Sequence, residues 1–177
     1  MDSKDANDTL AAAAAGAAGW QAQDVEILGK PALDRGGCRF YNAVHRRRMD
    51  GPTVELAQLP DGRVVAGIPG RGDVAAAADI LRLCGTGAPA DWWAEIVVRF
   101  SGKATGKVVK SRKEAHDVGE IEKRGAQFHE PELEQAGDST QLRFFSVRYE
   151  PDQPFRVSAS LSAQGSLTVA SEPLGAQ

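Results

Sequence analysis

The chain has 177 residues, of which 42% are hydrophobic and 25% charged, proportions typical of a soluble globular fold built as one domain or as two small modules. Its net charge of −3 argues against a general nucleic-acid-binding protein, because such proteins are usually basic. No apolar run approaches the roughly 20 residues that a membrane-spanning helix needs.

The N-terminal stretch TLAAAAAGAAGW is rich in alanine, the residue with the highest helix propensity. The preceding MDSKDAND carries three aspartates and one lysine, whereas a secretory signal begins with a positively charged region. We therefore expect an N-terminal helix and no signal peptide at this position.

Residues 24–47 predict a β-hairpin with a Gly-Gly turn, and residues 52–68 predict a second hairpin around Pro60-Asp61-Gly62. The first module, residues 1–68, is therefore expected to be one helix followed by four antiparallel strands.

Residues 69–113 are expected to hold a linker, two helices and a basic segment. Asp73 is of a residue type that commonly caps the N-terminus of a helix. Gly85 is placed to end the helix that begins after Asp73. The segment DWWAEIVVRF is compatible with a strand, but its apolar residues recur at helical spacing and favour a second helix. These residues are Trp93, Ile96, Val97 and Phe100.

The second module, residues 114–177, is expected to contain a helix ending at Gly125 and two further hairpins. In the latter hairpin, apolar residues at 155, 157, 159 and 161 alternate with Arg156, Ser158 and Ser160, which predicts a strand with one wet face. We expect the two modules to pack as one globular unit.

Three stretches of the two modules match in order. KPALDRGG from Lys30 aligns with EPELEQAG from Glu130. Arg39-Phe40-Tyr41 aligns with Arg143-Phe144-Phe145. VELAQLPDGRVVA from Val54 aligns with VSASLSAQGSLTVA from Val157. The sequence thus predicts an α+β fold made by tandem duplication of a helix plus a four-stranded antiparallel sheet. The alternative is that antiparallel meanders share such features without common origin.

This element order resembles the helix-on-curled-sheet unit of the cystatin and nuclear transport factor 2 (NTF2) types. A tandem of such units is similar to the β-lactamase inhibitor proteins, a resemblance that implies a concave eight-stranded surface. The likeness lies in element order alone, so no functional residue is carried over.

The chain has two cysteines, Cys38 and Cys84, in dissimilar contexts. A disulfide framework or a zinc site would need more partners at regular spacing. We expect both to be buried free thiols in a reducing compartment, which predicts a soluble protein of the cytoplasm or of an organelle interior.

No catalytic, cofactor or metal-binding motif is found, and no cofactor is expected. His45, His116 and His129 stand without convergent ligands at recognisable spacing. The glycine patterns at 67–72 and 102–107 lack the spacing of phosphate-binding loops.

Two basic clusters and one tryptophan are the candidate partner-binding residues. The first cluster is Arg46-Arg47-Arg48, and Trp92 either packs on a sheet or forms an exposed contact of the kind enriched at binding hot spots. The alternative for the clusters is solvated loop charge. The second cluster has no acidic residue within it and comprises Lys103, Lys107, Lys110, Arg112 and Lys113.

These features predict a non-catalytic protein-binding, assembly or chaperone-like factor that offers its sheet faces and basic clusters to a protein with an acidic surface. The alternative is a small-molecule pocket protein, possibly an enzyme, built around His129, Glu130, Tyr41 and Tyr149. A cavity that joins a tryptophan to one of these would favour the pocket. A filled interior with an open polar sheet face would favour the binding factor.

Overall fold

The computed structural model describes residues 3–48 and 52–175, and within these ranges the chain is an α+β fold of four α-helices and two antiparallel sheets. The helices are α1 (Ser3–Ala18), α2 (Val74–Cys84), α3 (Ala90–Phe100) and α4 (Ala115–Lys123). The strands are β1 (Val25–Gly29), β2 (Arg39–His45), β3 (Val54–Gln58), β4 (Val64–Gly67), β5 (Lys107–Val109), β6 (Glu132–Ala136), β7 (Ser139–Arg148), β8 (Gln153–Ser162) and β9 (Leu167–Pro173).

The first sheet is a four-stranded meander in the order β1-β2-β3-β4, which confirms both predicted hairpins. Between β1 and β2, Arg35 and Cys38 exchange backbone hydrogen bonds across a tight turn. Gly36 and Gly37 occupy this turn with φ of 57° and 83°, a region that glycine enters without steric cost.

The second sheet has five strands and contains the predicted meander β6-β7-β8-β9. β7 is long enough to hold two partners along one edge: β6 pairs with residues 139–143 and β5 with residues 145–147. β5 lies inside the segment predicted to be a basic stretch without a strand. It spans three residues, too few for an alternating pattern to show in the sequence.

The two sheets lie on either side of α2 and α3, with α1 and α4 on the outer faces. Side chains along β2 and β7 alternate between the two faces of each sheet, and this alternation sets the order of the layers. Phe40 and Phe144 enter the central core that α2 and α3 also line. Their sequence neighbours face outward, where Tyr41 packs beneath α1 and Phe145 beneath α4. The strands therefore form two separate sheets and not a continuous eight-stranded surface.

α3 confirms the predicted helix and is buried on more than the predicted face. The four residues at helical spacing are all buried, and so are Trp92, Ala94 and Val98. The reason is position: α3 contacts β4 of the first sheet and β5, β6 and β7 of the second. A helix between two sheets is expected to be apolar nearly all round.

α2 begins and ends where the sequence predicts. The Asp73 carboxylate accepts a hydrogen bond of 2.9 Å from the Ala75 backbone N–H, and Gly85 follows the last helical residue. Just before this cap, Gly72 lies against the end of α3, where a Cβ atom would collide with the Phe100 carbonyl oxygen. The start of α2 thus depends on the absence of a side chain at this position.

Cys38 and Cys84 form a disulfide, so the prediction of free thiols is wrong. The bridge joins the start of β2 to the end of α2, with the two Cα atoms 6.1 Å apart and both residues 2% exposed. Folding brings together two cysteines separated by 46 positions, a proximity that spacing in the sequence does not reveal. The expectation of a reducing compartment loses its basis, because disulfides persist in oxidising surroundings.

Candidate binding surface

Three of the five cations in the basic segment 103–113 are held in ion pairs. Lys107 pairs with Glu114 and Asp117, Lys110 with Glu95, and Arg112 with Glu122. The carboxylates come from α3, α4 and the connection before α4. Much of the positive charge seen in the sequence is therefore compensated by residues that the fold brings in. The side chains of Lys103 and Lys113 make no hydrogen bond or ion pair with the described residues.

Asp117 anchors a polar cluster between β5, β7 and α4. Its carboxylate, 3% exposed, accepts hydrogen bonds from the Lys107 Nζ at 2.9 Å and from the Tyr149 hydroxyl at 2.9 and 3.0 Å. Burial and the Asp117 carboxylate raise the pKa of Tyr149, while Glu114 and Asp117 raise the pKa of Lys107. The phenol and the ammonium both keep their protons at neutral pH, and their bonds to Asp117 join β5, the end of β7 and α4.

A second ion-pair chain crosses from the first sheet to the basic segment. Glu55 of β3 is 5% exposed and accepts from Lys30 at 3.3 Å and from Arg99 at 2.7 Å. Arg99 also pairs with Glu95 at 2.9 Å, and Lys110 pairs with Glu95 at 2.8 Å. Burial raises the pKa of Glu95, but Lys110 and Arg99 together outweigh it and hold that pKa below its ordinary value. The chain ties β3 through α3 to the segment around β5.

The arginine cluster at the end of β2 is exposed and only partly engaged. The Arg46 Nε donates to the Val25 carbonyl at 3.1 Å, and the Arg47 Nε lies 3.6 Å from an Asp24 carboxylate oxygen. The Arg48 side chain makes no hydrogen bond or ion pair with the described residues. Among those residues no such contact links this cluster to the basic segment.

Trp92 is buried and is withdrawn from the partner-binding candidates. It is 6% exposed, its indole N–H donates to the Leu33 carbonyl at 2.8 Å, and its ring packs edge-on against Phe40 with centroids 6.0 Å apart. Of the two positions expected for this side chain, the structure shows packing against the first sheet. A tryptophan can act as an interface hot spot only where its ring reaches the partner.

The residues of the alternative pocket do not converge. Tyr41 packs beneath α1 on the first sheet, and Tyr149, 45% exposed, is bonded to Asp117 beside α4. His129 packs against Phe145 with the two rings tilted by 55° and their centroids 4.8 Å apart, and its Nδ1 lies 2.8 Å from the Glu130 carbonyl oxygen. Four cavities in the described part of the chain have none of these side chains in their linings.

Part of the outer face of the second sheet is open and polar. On β8, Val157, Ala159 and Leu161 are buried while Arg156 and Ser158 are exposed, which confirms the predicted strand with one wet face. α4 covers the end of this face at Phe145 and Val147. The remainder is named here the open polar face and consists of Glu132, Glu134, Gln141, Arg143, Ser158, Ser160, Thr168 and Ala170.

The centre of the open polar face is made of short side chains. Ser158 lies between Arg143 and Ala170 in the strand register, and Ser160 lies between Gln141 and Thr168. These residues form a shallow depression of about 210 Å³. Arg143 bonds to Glu134 at 3.2 Å, so the only arginine in this set is already partly neutralised. The face thus offers a nearly flat surface of hydroxyl groups with little net charge.

A groove of about 400 Å³ lies where the α2–α3 connection meets the inner side of the second sheet. Its apolar lining comprises Leu81, Trp93, Leu133 and Leu161, and the Trp93 indole N–H is satisfied by the Gly85 carbonyl at 3.1 Å. Sequence reasoning missed this groove because its walls come from α2, β6 and β8, which are distant along the chain.

None of the described helices is long and apolar enough to cross a membrane. No group of three or more His, Cys, Asp or Glu side chains in the described part of the chain is placed to hold a metal ion. Comparison with protein-family models, with curated proteins and with solved structures finds no match to this chain.

Proposed function

We propose that the chain is a non-catalytic protein-binding factor, of assembly or chaperone-like type, whose main contact surface is the open polar face. The observation that carries the proposal is this exposed set of Ser, Thr, Gln and Arg side chains on β7, β8 and β9. Strand faces that are not covered by the fold's own helices are available for another macromolecule.

The filled interior supports the same proposal. Side chains of α2 and α3, including Ile80, Ile96 and Phe100, occupy the space between the sheets and are fully buried. A pocket inside a helix-on-sheet cone would need that space to be empty. The groove beside Trp93 contains none of the polar residues proposed for the alternative.

The basic residues take a secondary part in the proposal. Arg48, Lys103 and Lys113 keep uncompensated charge among the described residues, whereas Lys107 and Lys110 are tied to internal carboxylates. These three cations, Arg48, Lys103 and Lys113, would attract a partner with an acidic surface over a long range. We expect them to affect the association rate more than the affinity.

We also propose that the two modules, residues 1–68 and 114–177, arose by duplication, with residues 69–113 inserted between them in one globular unit. Both modules place a helix before a four-stranded meander, and Phe40 and Phe144 both enter the central core from the second strand of their meander. One sequence match does not support common origin, because Pro31 begins a 3-10 turn after β1 whereas Pro131 precedes β6. The cystatin or NTF2 type of arrangement remains part of this proposal.

Charge placed on the open polar face tests the binding function. Ser158→Glu with Ala170→Glu should repel an acidic partner, abolish its stoichiometric capture from a native extract and weaken binding of the purified partner by roughly tenfold or more. Ala163→Glu with Gln164→Glu, in the β8–β9 turn, adds the same two charges outside the face and should leave capture and binding unchanged. Equal binding by all three proteins would refute this surface. Loss of binding only on neutralising residues 103–113 would move the site to the basic segment.

A further inference from the structure

The groove between the α2–α3 connection and the second sheet has an apolar floor and one available positive charge. Arg82 and Glu134 are the charged residues among the described ones that line it. Along β6, Glu134 alternates with Leu133 and therefore lies on the outer face, where its carboxylate bonds to Arg143 at 3.2 Å. Arg82 is thus the charge that the groove presents to a ligand.

Arg82 keeps most of its hydrogen-bonding capacity. Its Nη2 lies 3.4 Å from an Asp79 carboxylate oxygen, while Arg63 binds the other oxygen of Asp79 more closely, at 2.8 Å. A guanidinium carries five N–H donors, so several remain for a ligand. The Arg82 stem packs against the β8–β9 turn, where a Cβ atom on Gly165 would lie 3.1 Å from Arg82 Cδ. This contact limits the positions that the guanidinium can take.

A second polar group in the groove can donate to the same ligand. Thr140 Oγ1 accepts a hydrogen bond of 2.8 Å from the Gln135 side-chain amide, and this leaves the hydroxyl proton of Thr140 for another acceptor. Guanidinium and hydroxyl donors beside an apolar floor match a ligand that carries oxygen acceptors at one end and hydrocarbon at the other.

The wall of the groove is fixed from behind. The Cys38–Cys84 disulfide joins the α2 end of the α2–α3 connection to the β1–β2 loop, and Arg35 of that loop donates to the Gly87 carbonyl at 2.6 Å. The Trp93 indole N–H donates a hydrogen bond to the Gly85 carbonyl in the same connection. A wall held at three points costs little ordering entropy on binding, which is the condition for a preformed small-molecule site.

We propose that this groove binds a small apolar carboxylate, with Arg82 as its charge partner, Thr140 as a second donor and Trp93 with the neighbouring leucines as the apolar floor. The volume of about 400 Å³ lies within the range of small-ligand sites. The groove lies on the opposite side of β6 from the open polar face and shares only Glu134 with it, so the two proposed sites can be tested separately.

The test uses the full oxidised chain and three probe acids: phenylpropionate, indolepropionate and octanoate. Each is titrated beside its uncharged alcohol while backbone amide signals are followed by two-dimensional nuclear magnetic resonance. At least one acid is expected to saturate shifts at Thr86, Gly87 and Thr140, and to bind about fivefold or more tightly than its alcohol.

Arg82→Gln should lower the affinity for the acid to that for its alcohol. The affinity for the alcohol should not change. Arg156→Gln, on the exposed face of the same sheet, should keep the fivefold preference. The retained amide spectrum shows that each variant is folded. The proposal is overturned if no acid gives saturable binding at millimolar concentration, if acid and alcohol bind equally to the wild type, or if the shifts map elsewhere.

Discussion

Removal of the disulfide is expected to cost this protein a large part of its stability. The bridge joins Cys38 and Cys84 across 46 positions of the chain. The loop-closure entropy that such a link removes from the unfolded state corresponds to about 4 kcal/mol at 25 °C. We therefore expect Cys38→Ala with Cys84→Ala to lower the free energy of unfolding by about 4 kcal/mol. For a chain of this length, the loss corresponds to a fall in Tm of roughly 8–16 °C.

Urea unfolding followed by circular dichroism measures this difference in the oxidised wild type, the wild type with reductant and the double variant. The double variant and the reduced wild type should unfold close together, and reductant should not affect the double variant. Two thiols that react with an alkylating reagent in the unfolded, unreduced wild type would refute the bridge. A stability difference below about 1 kcal/mol would refute the entropic reasoning.

Two further predictions concern the contacts of α3 and the glycines. Glu95 has a pKa held below its ordinary value of 4.5, so its ion pairs stabilise the fold above about pH 4.5 and this contribution is lost as pH falls through the lowered pKa. Lys110→Gln should therefore lower the free energy of unfolding at about pH 7, and its difference from the wild type should shrink as the pH falls below 4.5, as measured by urea unfolding. A difference that does not depend on pH would contradict this. Gly72→Ala should cost more than about 2 kcal/mol because its Cβ atom meets a carbonyl oxygen of α3. Gly119→Ala, with open space around its Cβ atom in α4, should raise stability by about 0.5–1 kcal/mol in the same assay; similar effects at the two glycines would contradict the steric argument.

The elements that the sequence predicts correctly are those with local signals. Asp73 and Gly85 mark α2, the spacing of Trp93 and its apolar partners marks α3, and turn residues separate the strands of both meanders. The wet face of β8 follows from strict alternation over residues 155–161. These signals need only a few neighbouring residues, so a single sequence contains them in full.

The features that the sequence does not predict depend on contacts between distant residues. β5 is defined by its pairing to β7, and the disulfide by the approach of β2 to α2. The basic segment looked uncompensated because its carboxylate partners, including Glu95 and Asp117, lie outside it in the chain. Trp92 is buried because the β1–β2 loop closes over α3 and accepts its indole N–H.

A photo-crosslinking amino acid at Ser158 tests the binding surface most directly. The account predicts one stoichiometric adduct with a protein partner in native extract from position 158, and none from a crosslinker at Gln164 in the β8–β9 turn. Adducts from position 164 but not 158, or capture of the same partner with no adduct at 158, would contradict a binding function centred on the open polar face.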